Sequence, residues 1–313
     1  MKIYLNYMMI NFLIFFLNLI LLLMSVAFVT LFERKILGLI QNRIGPNKVG
    51  FIGIFQPFSD AIKLFSKEVL FNKFINYYYY LISPIFMFLL MMLIWLIKPY
   101  KFNLFILDKS FLMFFSFLSL GVYFIMICGW ASNSIYSIIG AIRSMVQTIS
   151  YEVSLMMMLL SINLMIDSFN FYDYFIYQKY LGFFLLFLPN FVLMFILILC
   201  ETNRTPFDLS EGESELVSGF NIEYMSGLFA LLFLSEYGMI IFLSFMYVYF
   251  FFSSNLFILK VMFFIFLFIW IRGSYPRIRY DQMMMMNWLM ILPIILNILI
   301  FVISFKFFLF FCI

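Results

Sequence analysis

Uncharged apolar runs alternate with short charged segments along the whole chain. A membrane-crossing helix needs about 20 such residues. With charges and turn residues taken as boundaries, the pattern predicts eight crossing helices, at 5–31, 78–97, 111–130, 144–166, 181–200, 224–252, 255–271 and 284–308. The first run is uncharged from Ile3 to Phe32 and meets Glu33, Arg34 and Lys35 at its end. It far exceeds the roughly 7–15 apolar residues of a signal peptide and has no small-residue cleavage site, so a retained helix is expected. In the seventh run Lys260 has to extend its stem towards its own interface.

Between the first two runs the period changes. Phe58, Ala61, Ile62, Phe65 and Val69 recur at helical spacing, with Asp60, Lys63, Lys67 and Glu68 on the other faces. Pro57 suits a first helical turn. This stretch reads as an amphipathic helix lying in the membrane interface. The expected fold is an all-α membrane protein of about eight transmembrane helices, with this interfacial helix in the first loop and one integral domain over residues 1–313. No repeat and no pair of matching interrupted segments marks an inverted-repeat carrier.

Composition agrees: the chain is 66% hydrophobic and 11% charged, whereas a soluble domain is about 25% charged. The charges are unevenly shared. Loops 32–77, 131–143, 201–223 and 272–283 hold twelve Lys or Arg, including all seven arginines, and the other face has seven lysines. The positive-inside rule then puts these long loops in the cytoplasm or mitochondrial matrix and both termini on the other side. An Arg-rich, Ser-rich transit peptide is missing, so if the protein works in an organelle, synthesis there is expected. The 48 Phe, 24 Met and 20 Tyr suit an AT-rich genome, and aromatic or Met stripes read as lipid-facing filler.

With no His, no C-x-x-C among Cys128, Cys200 and Cys312, and no Gly-rich phosphate loop, the chain offers no obvious site for a metal, haem, flavin or iron–sulfur cluster. Its cysteines read as structural, and nothing points to nucleic acid.

The carboxylates are more informative. Residues 201–224, ETNRTPFDLSEGESELVSGFNIEY, hold six of the fifteen acids and a single base, Arg204. Thr205-Pro206-Phe207-Asp208 and Ser210-Glu211-Gly212-Glu213 each have the form of a helix start. Glu211 and Glu215 would then repel across one turn. Crowded, poorly solvated carboxylates do not all ionise, which is the behaviour a proton path needs. Two more acids, Glu152 and Glu236, fall within predicted spans, where an ionised group costs at least about 2.5–3.5 kcal/mol and requires an interior or a partner. The last loop of this face contributes Arg272, Arg277, Arg279 and Asp281, suited to anchoring or to docking a peripheral protein.

The acidic stretch, with FERKILG, IGPNKVG, QPFSDAIKLFSKE, GWASNS, QTISYEVSL and RYDQ in this order, resembles the NADH–ubiquinone oxidoreductase chain 1 family, membrane subunits of respiratory complex I. The resemblance covers residues from about 24 to 290. It implies a multi-pass protein of the mitochondrial inner membrane, with both termini towards the intermembrane space. Its implied partners are other membrane-arm subunits, phospholipid, and the peripheral arm's iron–sulfur and quinone-site subunits on the matrix face. Ubiquinone would be the substrate at the subunit interface, reduced by a cluster held in a partner, with no directly catalytic residue in this chain.

By the same resemblance, Asp60, Glu152, Glu201, Glu211 and Glu236 form a proton-linked path, supported by Glu33, Glu68, Asp208, Glu213, Glu215 and Glu223. Ala27, Thr30, Arg34, Ala61, Phe65, Phe233 and Tyr237 line the membrane end of a quinone tunnel. Arg143, Arg204, Arg277 and Arg279 match structural basic positions. The residues alone also admit a stand-alone proton-coupled carrier using Glu152 and Glu236, and a membrane anchor with no chemical role.

Overall fold

In hydrocarbon every backbone N–H and C=O must find its partner inside the chain, so apolar runs of this length become helices. The computed structural model describes residues 2–69, 71–98, 107–210, 212–253 and 255–312. Among them are α1 (Lys2–Ile40), α2 (Gln56–Ser66), α3 (Tyr77–Ile94), α4 (Ser110–Ala131), α5 (Ile135–Ile166), α6 (Phe171–Tyr177) and α7 (Phe183–Leu186). They continue with α8 (Leu188–Glu201), α9 (Glu213–Leu216), α10 (Ser226–Phe251), α11 (Phe257–Ser274), α12 (Tyr280–Met285) and α13 (Leu292–Cys312). A π-helical turn, Met286–Ile291, joins the last two. The described residues include no strand, and the protein is an all-α membrane protein.

Among the described residues, seven helical segments are long and apolar enough to cross a membrane. The eighth apolar helix, α8, has 14 residues, about 21 Å, and is short of a core of about 30 Å. It begins at Leu188 rather than 181 because Pro189 occupies its first turn and residues 183–186 form the separate turn α7. Two helices overrun their expected ends for one shared reason: charges read as boundaries are paired within the fold. α1 continues to Ile40 because Glu33 binds Arg272, Arg34 binds Asp60, and Lys35 donates to the Ile52 carbonyl at 2.8 Å. α5 starts at Ile135 rather than 144 and carries Arg143 to Glu215.

The helix α10 is the interior element. Of its most apolar window 67% is buried, against 17% for α1 and for the last span, so α10 forms the core and those two face outwards. It packs against α1, α2, α3, α8 and α11, while α5 holds α4, α8 and α13. The aromatic residues are therefore not all lipid-facing filler: Phe111, Phe114, Phe171, Phe242, Phe250 and Phe251 are fully buried. Cys128 and Cys200 are buried and unbridged.

The helix α5 buries a line of polar residues at spacings of three, four and seven: Ser137, Ser144, Gln147, Thr148, Ser154 and Ser161. Its serines return hydrogen bonds to carbonyls one turn back, as Ser144 does to Ala141 at 2.9 Å and Ser154 to Tyr151 at 2.8 Å. Gln147 instead leaves its own helix. Its amide donates to the carbonyls of Cys200 at 2.8 Å and Phe207 at 3.0 Å, fastening the end of α8 and the loop behind it to α5.

Where α4 meets α5, a Cβ on Gly129 would stand 2.2 Å from that of Ala141 and 2.8 Å from the Ser137 carbonyl. Gly121, on the same helix, has open space at that position. Gly129→Ala is expected to cost about 1–3 kcal/mol through overpacking. Gly121→Ala should be neutral or stabilising by up to ~1 kcal/mol. Thermal unfolding of the purified full chain measures both.

Candidate functional site

Residues 202–210, after the end of α8, do not start a helix at Thr205, contrary to the sequence pattern; they run as turns. Besides turn bonds within the segment, from the Phe207 amide to Arg204 and from the Leu209 amide to Phe207, two of their carbonyls accept from outside it. Gln147 takes that of Phe207, and the Ile278 amide donates to that of Pro206 at 3.0 Å, which joins the acidic loop to the last loop of the same face. The second start does form a helix, the single turn α9, entered through Gly212 at φ 42. A side chain at Gly212 would also meet the Arg277 guanidinium at 2.7 Å.

This folding places Glu201, Arg204 and Glu236 around one cavity of about 90 Å³, with Thr148, Thr202 and Ser235 on its wall. The cavity runs from these polar groups towards apolar α3 and α4 side chains, including Met91 and Leu118. An Arg204 Nη atom stands 3.6 Å from Glu236, and both side chains are largely buried. One Glu201 carboxylate oxygen is buried without a hydrogen-bond partner among the described residues. Glu152, half-buried on α5, lies within electrostatic reach of Glu201.

A second line of contacts leaves Arg204 in the other direction. Its guanidinium lies 4.5 Å from the ring centre of Tyr237. The Tyr237 hydroxyl donates to Glu33 at 2.5 Å, and Glu33, itself buried, pairs with Arg272. Glu236, Arg204, Tyr237, Glu33 and Arg272 thus form a continuous series across α10, α1 and α11. A small cavity of about 20 Å³ separates parts of it, bordered by Glu33, Arg204, Tyr237 and Arg272.

The helix α2 lies against α1 and α10. There Asp60 accepts from Arg34 at 2.5 Å and from Gln56 at 2.9 Å. Ala27, Thr30 and Arg34 on α1, Ala61 and Phe65 on α2, and Phe233 and Tyr237 on α10 come from these three neighbouring helices. Phe233 stacks towards Tyr237 with 6.4 Å between ring centres. Phe65 is exposed, and so is Ile62 beside it. The amphipathic helix ends at Ser66, leaving Val69 and the exposed Glu68 beyond it.

The remaining acids are spread over the same face. Asp208 is buried near Ser210. Glu223 accepts from Asn72, and its carbonyl accepts from Tyr80 at 2.6 Å. Glu215 accepts from Arg143 at 2.6 Å, with Arg277 at 3.8 Å and Arg279 acting on its charge. Glu211 lies outside the described residues, as does any account of the Glu213 side chain. Sequence reasoning did not assign Gln147 or Arg272 to the site. The polar period of α5 could have flagged Gln147; Arg272 carried no local signal, because its partner is 239 positions away. Among the described residues no group of His, Cys, Asp and Glu is arranged to hold a metal ion.

Fold and site together define an all-α, multi-pass membrane protein with ionisable groups set around an internal cavity. A family model described as NADH dehydrogenase matches residues 13–303. NADH-ubiquinone oxidoreductase chain 1 of Aedes aegypti is 51% identical, over 91% of this chain and 92% of that one. The chain of the same name from Locusta migratoria is 50% identical over 95% and 97%, and that from Paracentrotus lividus 45% identical over 87% and 88%. The chain belongs to the NADH dehydrogenase family.

The bond from Arg143 holds the Glu215 carboxyl below its usual range, assisted by the charges of Arg277 and Arg279. A depressed carboxylate contributes its stability above the ordinary Glu value of ~4.3 and loses it as pH falls through the folded value. The effect is modest because half of the Glu215 side chain is exposed. Limited proteolysis of the 209–217 loop should therefore accelerate severalfold in acid below that range. Glu215→Gln should show the faster cleavage already at neutral pH.

Proposed function

We propose that the chain is the membrane subunit of a proton-pumping NADH–ubiquinone oxidoreductase in the mitochondrial inner membrane, folded as one integral domain. Its acidic loop faces the matrix and the peripheral arm, and both termini face the intermembrane space. α1, α2 and α10 form the membrane end of the ubiquinone site, and the carboxylates form a proton-linked route from it into the membrane arm. The chain binds no redox centre, and electrons arrive from a cluster in a partner.

The observation that carries this reading is the shared cavity of Glu201, Arg204 and Glu236, linked through Tyr237 to Glu33 and Arg272. Unit charges ~4 Å apart interact by about 4 kcal/mol at an effective dielectric of ~20. A protonation change on one member is therefore felt by the next. The names of the relatives support ubiquinone as the acceptor.

The residues suit such a substrate. Ala27, Ala61 and Phe233 offer apolar wall to a long tail, while Tyr237 and the Arg34–Asp60 pair offer polar contacts to a head group. Reduction of a quinone takes up electrons and protons together. In this reading Tyr237 passes the resulting charge change to Arg204 and Glu33. Arg204 then releases or tightens its hold on Glu236, and Glu201, with one oxygen unbonded, accepts or yields a proton at the cavity wall.

Glu201→Gln and Glu236→Gln, introduced at the matching positions of a genetically tractable relative, should leave the complex assembled on a native gel. Quinone reductase turnover and proton pumping should each fall at least about tenfold, a barrier change of ~1.4 kcal/mol. Unchanged turnover and pumping in an intact complex would reduce the acidic stretch to an assembly surface.

A further inference from the structure

Away from the acidic loop, a cavity of about 720 Å³ opens among α1, α10 and α11. The helix α3 begins beside the loop, where Tyr80 stacks on Tyr224, and ends before Lys98, so Lys98 marks the opposite face. The cavity wall is mainly apolar, with Phe28, Val29, Phe257, Val261 and Ile265 facing Phe245. Phe28, Ile258 and Met262 on its wall are exposed, so the hollow is open to the hydrocarbon and takes an apolar occupant from there. Apolar walls do not hold water in its place. The volume falls within the ~300–1,000 Å³ of ordinary ligand sites.

Two polar features stand at the Lys98 end. The ammonium lies 4.9 Å from the ring centre of Phe245 and 5.8 Å from that of Trp95, both of which line the cavity. Burial pushes the Lys98 amine below the usual lysine range, the behaviour of a cation short of solvent. The Trp95 indole N–H is buried and has no acceptor among the described residues. Buried donors are seldom left unpaired, because each one costs free energy. A cation and an unanswered donor at one end of a long apolar hollow complement an amphiphile with an anionic head and hydrocarbon tails.

The geometry points to a specific site for an anionic phospholipid, its phosphate at Lys98, its head-group or ester oxygen accepting from Trp95, and an acyl chain between α1 and α11. The head-group end of the site lies towards the face opposite the acidic loop, while Phe28 on its wall meets Phe58 of α2 with 6.1 Å between ring centres. It seals the contact between the outward-facing α1 and the rest of the bundle. A helix from a partner subunit is the competing occupant.

The test uses the full chain in nanodiscs, with Trp130, Trp270 and Trp288 changed to Phe so that Trp95 is the remaining fluorophore. Phosphatidylglycerol or phosphatidylcholine brominated on its acyl chains serves as the quencher. Phosphatidylglycerol should half-quench Trp95 at about a tenfold lower mole fraction than phosphatidylcholine, ~1.4 kcal/mol of preference. Lys98→Gln should abolish that preference and Lys98→Arg should keep it. Equal curves for the two lipids in the chain with Lys98, or a preference untouched by Lys98→Gln, overturns the lipid site. Absence of quenching by either lipid does so too and leaves the hollow to a protein partner.

Discussion

Arg204 stands 3.6 Å from Glu236 and over the ring of Tyr237, and the arrangement of the acidic face depends on its charge being there. Carboxylates removed from water are tolerated only when cations or hydrogen bonds offset the lost solvation. Arg204 does this for Glu236 and Arg272 does it for Glu33, while Arg34 pairs with Asp60 nearer the surface. These bases come from the loop after α8, from α11 and from α1. The pairs therefore tie together helices that side-chain packing alone would leave free to slide. The same pairs keep the acids responsive, since breaking one contact exposes a charge that the surroundings do not solvate.

The local backbone around Arg204 is held by groups that carry no charge. Gln147 binds the carbonyls of Cys200 and Phe207, and the Ile278 amide binds that of Pro206, so the loop is clasped between α5 and the 272–280 segment. Beyond the loop, Asn287 on the π-helical turn donates to the Ser150 carbonyl at 2.8 Å, and Tyr151 donates to that of Met283 at 2.9 Å. These contacts fix α5, and with it Glu152, against the last span. The polar line along α5 is thus the scaffold of the site as well as part of its lining.

Much of this was legible from hydrophobic pattern. Runs of Phe, Leu, Ile and Met announced the spans, and Phe58, Ala61, Ile62 and Phe65 announced α2, because both signals are local and periodic. Helix ends were less legible where a charge lies inside the fold. Glu33, Arg34 and Arg143 look like boundaries until Arg272, Asp60 and Glu215 are brought beside them. The short α8 was hidden in a continuous apolar run, with Pro189 as its only punctuation. The acids of the site stood out by their rarity. Their grouping did not, since Glu33, Arg204, Tyr237 and Arg272 come from distant positions and only tertiary packing joins them.

In the proposed route Glu201 changes protonation as the quinone is turned over, under the charges of Arg204 and Glu236. Redox-difference infrared spectroscopy of an intact homologous complex reads carboxylic-acid protonation directly. Quinone reduction should give a carboxylic C=O difference signal, weakened by Glu201→Gln and shifted by Glu236→Gln. A carboxylic signal identical in the unsubstituted and both substituted complexes would contradict it.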